Sequence, residues 1–538
     1  MEREKHPGDL FKGAFILTIA ALFIKILSAV YRVPFQNIVG DVGFYIYQQV
    51  YPFYGVALVL STYGFPVVIS KLYAEQVFLK GKNGIQNLFV VSAFILIILG
   101  FTGFAILFWG ADWLAAQMDD PQLAILLRVV SIVFLLFPIV SLLRGYFQGK
   151  GNMVPTAVSQ VFEQLFRVLT IFLAAWLLTK KGHSLYIVGG GAVFGAVTGG
   201  IVAVVILITF LWMKRKKTPL KICLDFKEGK KIAKALIIQG FAVCVSSLLL
   251  IFIQMADSLN LYSLLVTSGF NSLEAKELKG IYDRGQPLIQ LGIVVATSMS
   301  LSLVPLITSE KATGKTEFLH DKIRVALQIG IFVGVAATVG LWNIIKPTNV
   351  MLFENSNGSA VLSVLSILIL LSSVIITTTA VLQGLGLILF PAFVILCGFG
   401  MKYMMNILLV PMYGTMGAAV ASCITLCLIM LILLFKLGLY LKISIMNIRF
   451  LAVICMAALF MAIALKTYLH LTGFLAGGGH DRLFAGFQAL SAVLIGGFSY
   501  LWIVLKGNIF KEEELAMLPF GSKLSLLLPK KNRSWKIK

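Results

Sequence analysis

Runs of about 20 apolar residues recur along nearly the whole chain, each long enough to cross a ~30 Å hydrocarbon layer as a helix. Between them lie short polar stretches, none long enough to fold alone. Hydropathy predicts spans at 11–33, 44–70, 85–110, 122–143, 153–178 and 184–213. Six more follow at 232–256, 286–308, 322–345, 359–382, 387–410 and 415–439, and a last pair at 448–470 and 483–505. The polar–apolar alternation of a membrane β-barrel is missing. The expected fold is therefore all-α and polytopic, with about 14 transmembrane helices. The first run lacks a small-residue cleavage site and reads as a retained span.

Landmarks repeat at one offset. The differences 282 − 47, 287 − 52 and 383 − 148 all equal 235, pairing Tyr282 with Tyr47, Pro287 with Pro52 and Gln383 with Gln148. QGKG before Pro155 returns as QGLG before Pro391. Each copy holds six spans, and an even number keeps both in one orientation. The prediction is two pseudo-symmetric six-helix lobes, 1–230 and 231–440, then two C-terminal helices in 441–506 and a basic tail in 507–538. Lobes of this kind enclose a cleft that rocking opens to alternate sides, which favours a transporter.

Composition sharpens this picture. Hydrophobic residues make up 59% and charged ones 13%, against roughly 25% charged in a soluble chain. The net charge of +22 raises the question of nucleic acid, but the cations sit in alternate loops. Arg3, Lys5 and Lys12, then Lys71, Lys80 and Lys82, then Lys214, Arg215, Lys216 and Lys217, then Lys530, Lys531 and Arg533 all share one side if both termini are cytoplasmic. That is the positive-inside pattern, and no nucleic-acid partner is expected. Cys244, Cys397, Cys423, Cys427 and Cys455 lie in apolar runs and Cys223 in a basic loop, so neither disulfides nor a metal cluster are expected. The five histidines are scattered, with no pair at catalytic or metal spacing. A membrane glycosyltransferase or polymerase would need an acid/base constellation, and the chain is not expected to be an enzyme. GGGAVFGAVTGG, from Gly189, precedes no P-loop lysine and reads as close helix packing.

The polar residues inside the spans carry the candidate chemistry. Gln160, Glu163, Gln164 and Arg167 follow i, i+3, i+4, i+7 spacing and form one stripe near the bilayer midplane. A midplane charge costs at least ~2.5–3.5 kcal/mol, so the stripe should face protein or a wet cavity. Two readings stand: a self-neutralising Glu163–Arg167 pair that pins helices, or a cavity wall on which Glu163 tempers the arginine. Lys25 and Arg32 share a face of the first span, Arg32 within snorkelling reach of the surface. Lys402 and Asn406 lie four apart in the eleventh span, and Gln254 and Asp257 near the end of the seventh. Arg128 reads as snorkelling. Gln48, Gln49 and Tyr51, with Tyr45 and Tyr47, bring amide and hydroxyl groups suited to a sugar. The expected cavity wall is Lys25, Arg32, Gln48, Gln49, Tyr51, Gln160, Glu163, Gln164, Arg167, Lys402 and Asn406. Its net charge is positive, which favours an anion such as phosphate. An antiporter for cationic drugs, the nearer rival, would favour an acidic aromatic pocket.

RGYFQGKGNMVPTAVSQVFEQLFRV (144–168), KGAFILTIAALFIKILSAVYRVPFQNIVG (12–40) and YGFPVVISKLYAE (63–75) resemble the bacterial polysaccharide-biosynthesis transporters. These are the stage V sporulation protein B-like and MurJ-type lipid-linked oligosaccharide flippases of the multidrug/oligosaccharidyl-lipid/polysaccharide exporter superfamily. The likeness covers most of the first lobe and weakens beyond residue 240. It implies two six-helix lobes, two extra helices that form a lipid-tail groove, and a location in the bacterial cell membrane. It also implies an undecaprenyl-diphosphate-linked saccharide as substrate, moved from the inner to the outer leaflet. Family members use basic residues of the first helix for the diphosphate, where Lys25 matches, while the arginines expected along the second helix are absent. Some members bind sodium with an acid on the seventh helix and polar groups on the eleventh, for which Asp257 and Asn406 are the matches. Lys402 could replace that ion with a fixed ammonium. No cofactor is implied; sodium, protons or the membrane potential are the candidate energy sources, and the chain is expected to act as a monomer among membrane lipids.

Overall fold

A computed structural model describes residues 7–213, 226–298, 307, 316–441, 448–475 and 481–510. The cations at 3, 5, 214–217, 530, 531 and 533, Cys223 and most of the end of the eighth predicted span lie outside the described residues. Those described are helical with short connections, and no strand occurs among them.

Eleven helices among the described residues are long and apolar enough to cross a membrane. Two of these run for 60 and 53 residues, Ile19–Phe78 and Leu389–Leu441, far beyond the ~20 that one crossing needs. Each is interrupted by one glycine with positive φ, Gly40 (φ 70°, ψ −177°) and Gly414 (φ 55°, ψ −137°). These breaks fall between the first and second, and the eleventh and twelfth, predicted spans. An L side chain would be strained at either.

The seventh span differs from its predicted bounds of 232–256. Two helices occupy the region, α8 (Phe226–Ser247) and α9 (Leu249–Thr267), with Leu248 off helical geometry between them. The hydroxyls of Ser246 and Ser247 donate to the Ala242 and Val243 carbonyls. Such back-bonding bends helices, and hydropathy alone does not register it.

The chain forms two compact units, Met1–Pro287 with Leu387–Ala421, and Leu288–Gly386 with Ser422–Lys538. In unit 1, α1 (Pro7–Val30) and α2 (Arg32–Val59) lead into a π-helical turn, Leu60–Gly64, and then α3 (Phe65–Trp109). After the short α4 (Ala111–Gln117) come α5 (Ala124–Gly149), α6 (Val154–Lys180) and α7 (Leu185–Met213). Proline in the first turn starts α3 and α6, where the missing N–H costs nothing. The glycine-rich face of α7 lies directly on α6: a Cβ on Gly199 would stand 2.5 Å from the Glu163 carbonyl oxygen. α10 (Ser272–Asp283) is N-capped by Asn271, whose side chain accepts from the Glu274 N–H at 2.8 Å. A Cβ on Gly280 would sit 2.2 Å from the Asp41 carbonyl oxygen, so α10 rests on the chain beside the Gly40 break.

Unit 2 holds α12 (Thr316–Phe353), α13 (Ser359–Gly384), α15 (Ile448–Leu475) and α16 (Arg482–Gly507). The short α11 (Gly285–Gly292) precedes them. α14 (Leu389–Leu441) is divided at Ala421 between the two units. The core of unit 2 is apolar: Ile329, Phe332, Val374, Ile454, Leu465 and Tyr500 are all buried. The Tyr500 hydroxyl donates to the Phe332 carbonyl at 3.0 Å.

Candidate functional site

The buried charged residues among those described lie in unit 1, and Arg167 is the centre of one group of them. On α6 the stripe Gln160, Gln164 and Arg167 turns inward and is buried. Arg167, 2% exposed, donates to the hydroxyls of Tyr54 at 3.2 Å, Tyr31 at 3.1 Å and Tyr47 at 2.9 Å, and to the Gln164 amide oxygen at 3.4 Å. Tyr31 and Tyr47 also bond each other at 2.8 Å. The guanidinium stacks over Tyr54, 4.1 Å from the ring centre. Tyr47, Tyr51 and Tyr54 share one face of α2 by helical spacing, and their rings line the cage. Among the described residues no carboxylate pairs with Arg167.

Arg32, fully buried, stacks on Tyr51 at 4.4 Å. Its three guanidinium nitrogens have no hydrogen-bond partner among the described residues. It does not reach the surface to snorkel. Two guanidinium groups thus share a tyrosine cage, and neither forms an ion pair among the described residues. A small cavity of about 10 Å³ opens beside Tyr47, Tyr51, Tyr54 and Arg167, closed by Val130, Val193 and Ala196. Its volume is about what a single water requires.

Glu163 is not the partner of Arg167. It pairs with Arg144 of α5, Nη2 to Oε2 at 2.6 Å. Arg144 also donates to Ser159 Oγ, the Ser61 carbonyl and Thr62 Oγ1 at 3.2–3.3 Å. It satisfies a backbone carbonyl of the π-helical turn and ties α5 and α6 to it. Glu163 therefore neutralises a structural arginine, which leaves Arg167 untempered. Arg144 is completely buried and the Glu163 side chain 13% exposed. Arg144→Met is expected to cost about 3–5 kcal/mol of stability by stranding a carboxylate. Arg144→Met with Glu163→Leu should recover most of that loss, and unfolding free energies of the single and double variants in detergent check it.

Asp257, Asn260, Lys402 and Asn406 form a second closed network. Lys402 Nζ lies 2.7 Å from Asp257 Oδ1, 2.7 Å from Asn406 Oδ1 and 2.8 Å from the Ala418 carbonyl oxygen. Asn406 donates to Asp257 Oδ1 at 2.9 Å and Asn260 Oδ1 at 2.8 Å. The Tyr282 hydroxyl of α10 donates to Asp257 Oδ2 at 2.9 Å. Asp257 is 1% exposed and Lys402 fully buried, so the pair is closed off from the surface. The network joins Leu387–Ala421 to α9, aided by the Asn260 amide on the Tyr403 carbonyl at 3.0 Å.

α10 brings its own ion pairs. Arg284, just after the helix, holds both Asp41 oxygens at 2.7 Å, and Lys279 holds both Asp283 oxygens at 2.7–2.8 Å. Burial outweighs the pull of Lys279, Asp257 adds repulsion and Arg32 adds attraction; the Asp283 carboxyl is pushed up to about 6. The folded state therefore keeps a proton that the unfolded chain releases near pH 4. Stability falls as pH rises through the window from about 4 to 6 and levels off above it. Thermal midpoints between pH 4 and 7.5 should show that slope in the wild type and lose it in Asp283→Asn.

The remaining residues of the expected wall are dispersed. Lys25 on α1 is half-buried, with no ion-pair partner among the described residues. Gln49 donates to the Ser258 carbonyl at 3.1 Å, and Gln48 is buried. The cavity beside Arg167 has neither Lys25 nor Lys402 on its wall. Gln254 bonds Gln286 at 2.7 Å, and Arg128 pairs with Asp112 at 2.6 Å at the surface instead of merely snorkelling. Tyr31, Tyr54 and Arg144 complete the interior and were not among the predicted residues. Tyr47 and Tyr51, two of the cage walls, were among the expected hydroxyl groups, whereas Arg144 falls one residue beyond the predicted span 122–143.

The comparisons with known proteins agree with this helical architecture. A family model described as polysaccharide biosynthesis protein matches residues 10–310. The uncharacterized membrane protein YabM of Bacillus subtilis (strain 168) is 43% identical over 528 residues, 98% of each chain. Lipid II flippase MurJ of the same organism is 28% identical over 440 residues, 77% of this chain and 80% of that one. A solved structure of lipid II flippase MurJ in an inward closed conformation superposes with a TM-score of 0.63 at 16% identity, over 92% of this chain and 97% of that one. With more than half its length under the family model and a near-full-length relative well above 30% identity, this multi-pass membrane protein belongs to the polysaccharide biosynthesis protein family.

Proposed function

We propose that the protein is a flippase that carries an undecaprenyl-diphosphate-linked saccharide from the inner to the outer leaflet by alternating access. The observation that carries the reading is the pair of buried guanidinium groups, Arg32 and Arg167, neither of which forms an ion pair with a carboxylate among the described residues. A diphosphate supplies the missing negative charge, and bidentate guanidinium contacts suit its oxygens. Tyr31, Tyr47 and Tyr54 hold the Arg167 donors in readiness until the phosphates replace them as acceptors. Lys25 offers a further cation on α1, and Gln48, Gln49, Tyr51, Gln160 and Gln164 offer amide and hydroxyl groups to the saccharide. The kinship with a protein named lipid II flippase supports the substrate class. The lipid tail stays in the bilayer while the headgroup crosses. Both termini face the cytoplasm of the bacterial cell and the chain works as a monomer.

The second network argues against sodium coupling. Asp257 and Asn406 already hold a cation, the ammonium of Lys402, so transport needs no sodium at that place. The test is headgroup translocation in proteoliposomes that contain the pure protein. The lipid-linked saccharide should flip far faster than in protein-free vesicles, at the same rate when potassium replaces sodium. Translocation no faster than in empty vesicles, together with efflux of a cationic drug, would favour the antiporter instead.

A further inference from the structure

A second aromatic box lies at the end of unit 1 where α10 sits, apart from the Arg32–Arg167 cage. The ammonium of Lys276 lies 5.5 Å from the ring centre of Tyr262, 5.9 Å from that of Tyr45 and, at the hydroxyl edge of Tyr186, 5.2 Å from its centre. A carboxylate completes the enclosure: Asp120, itself 3% exposed, lies 3.1 Å from Lys276 Nζ. Asp120 is held in place without Lys276. The Tyr186 hydroxyl donates to it at 2.6–2.8 Å and the Tyr45 hydroxyl at 3.2 Å. Tyr45 and Tyr262 pack ring to ring at 5.3 Å. The walls come from α2, α7, α9 and the turn before α5, and only the occupant comes from α10, a helix of 12 residues. Lys276 also donates to the Tyr186 hydroxyl at 2.6 Å and keeps 16% of its side chain exposed.

Two tyrosine rings, a tyrosine hydroxyl and a carboxylate around one ammonium are the chemistry by which organic ammonium groups are recognised. A surface strap would need only the ion pair. We propose that Tyr45, Tyr186, Tyr262 and Asp120 form a receptor site for an organic ammonium group, which Lys276 occupies as a tethered ligand. A soluble amine or amine-bearing molecule that reaches this end competes with Lys276, and in doing so frees one fastening of α10. The other fastening, Arg284 on Asp41, keeps the helix seated. The site does not depend on the substrate assigned to the Arg32–Arg167 cage.

The test uses the full chain in detergent with n-butylammonium, tetramethylammonium and neutral 1-butanol as probes. Binding is read from the tyrosine near-ultraviolet difference spectrum and from the thermal midpoint. Lys276→Ala empties the box and should bind the two ammonium ions about tenfold or more tightly than the wild type, where the tether competes at millimolar effective concentration. The thermal midpoint of Lys276→Ala should rise by several degrees with either ammonium ion and not with 1-butanol. Lys276→Ala combined with Asp120→Asn should lose the response. Hydrogen exchange of 272–283 in the wild type offers a second reading that needs no variant: n-butylammonium should speed it and 1-butanol should not. Equal responses of Lys276→Ala to ammonium and butanol, or equal binding with and without Asp120, would overturn the proposal. So would wild-type exchange indifferent to the amine.

Discussion

Arg167→Ala should lower headgroup translocation about 100-fold or more while the protein still reaches the membrane and unfolds near the wild-type temperature. Arg167 makes four hydrogen bonds, all to neutral acceptors, and charge-assisted bonds are worth about 1.5–3 kcal/mol each. Losing two such contacts to a diphosphate corresponds to roughly 100-fold or more in rate. The folded protein loses less. The buried charge disappears with the side chain, and Tyr31 and Tyr47 still bond each other at 2.8 Å. Arg167→Lys keeps the charge but not the fork that bridges three hydroxyls, so an intermediate loss of about tenfold is expected. Translocation assays on matched amounts of reconstituted protein decide it. Wild-type rates in Arg167→Ala would remove the cage from the transport path.

Lys402→Met is expected to act on stability instead. Asp257 would remain 1% exposed with its ammonium gone, at a cost of about 3–5 kcal/mol. Asp257→Asn strands Lys402 by the same argument. The pair together, Lys402→Met with Asp257→Leu, removes both charges and should recover most of the loss. A double-mutant cycle on unfolding free energies measures the coupling. A coupling energy near zero would show that the ammonium is held chiefly by Asn406 and the Ala418 carbonyl, not by the carboxylate.

Much of this was readable from the pattern of side chains alone. The helices follow from long apolar runs, because lipid leaves backbone groups no partners but one another. The two glycine breaks fall where loop residues separate predicted spans. The stripe Gln160, Gln164 and Arg167 was legible from helical spacing, and so was its avoidance of lipid. Its partners were not. Glu163 and Arg167 stand one turn apart, so a local pair looked natural, yet Arg144 reaches Glu163 from another helix 19 residues away in the chain. Asp257 and Lys402 lie far apart in the chain, and no periodicity signals such a meeting. The tyrosines of α2 resemble an interfacial belt by composition. Only the packing of α2 against α6, seen in the Arg167 bonds to Tyr47 and Tyr54, turns them inward to face the guanidinium groups. The break at Leu248 depends on two serine rotamers, which a hydropathy window averages away.

The Asp257–Lys402 pair also sets a timetable for biogenesis. Asp257 leaves the ribosome 402 − 257 = 145 residues before its ammonium, roughly 7–30 s at 5–20 residues per second. Tyr282 arrives 25 residues after Asp257 and can cover one carboxylate oxygen in the interval. Until Lys402 emerges, the nascent chain carries an orphan acid at membrane depth. A slowed ribosome anywhere between these two positions should lengthen its dependence on the insertion machinery and its exposure to membrane proteases.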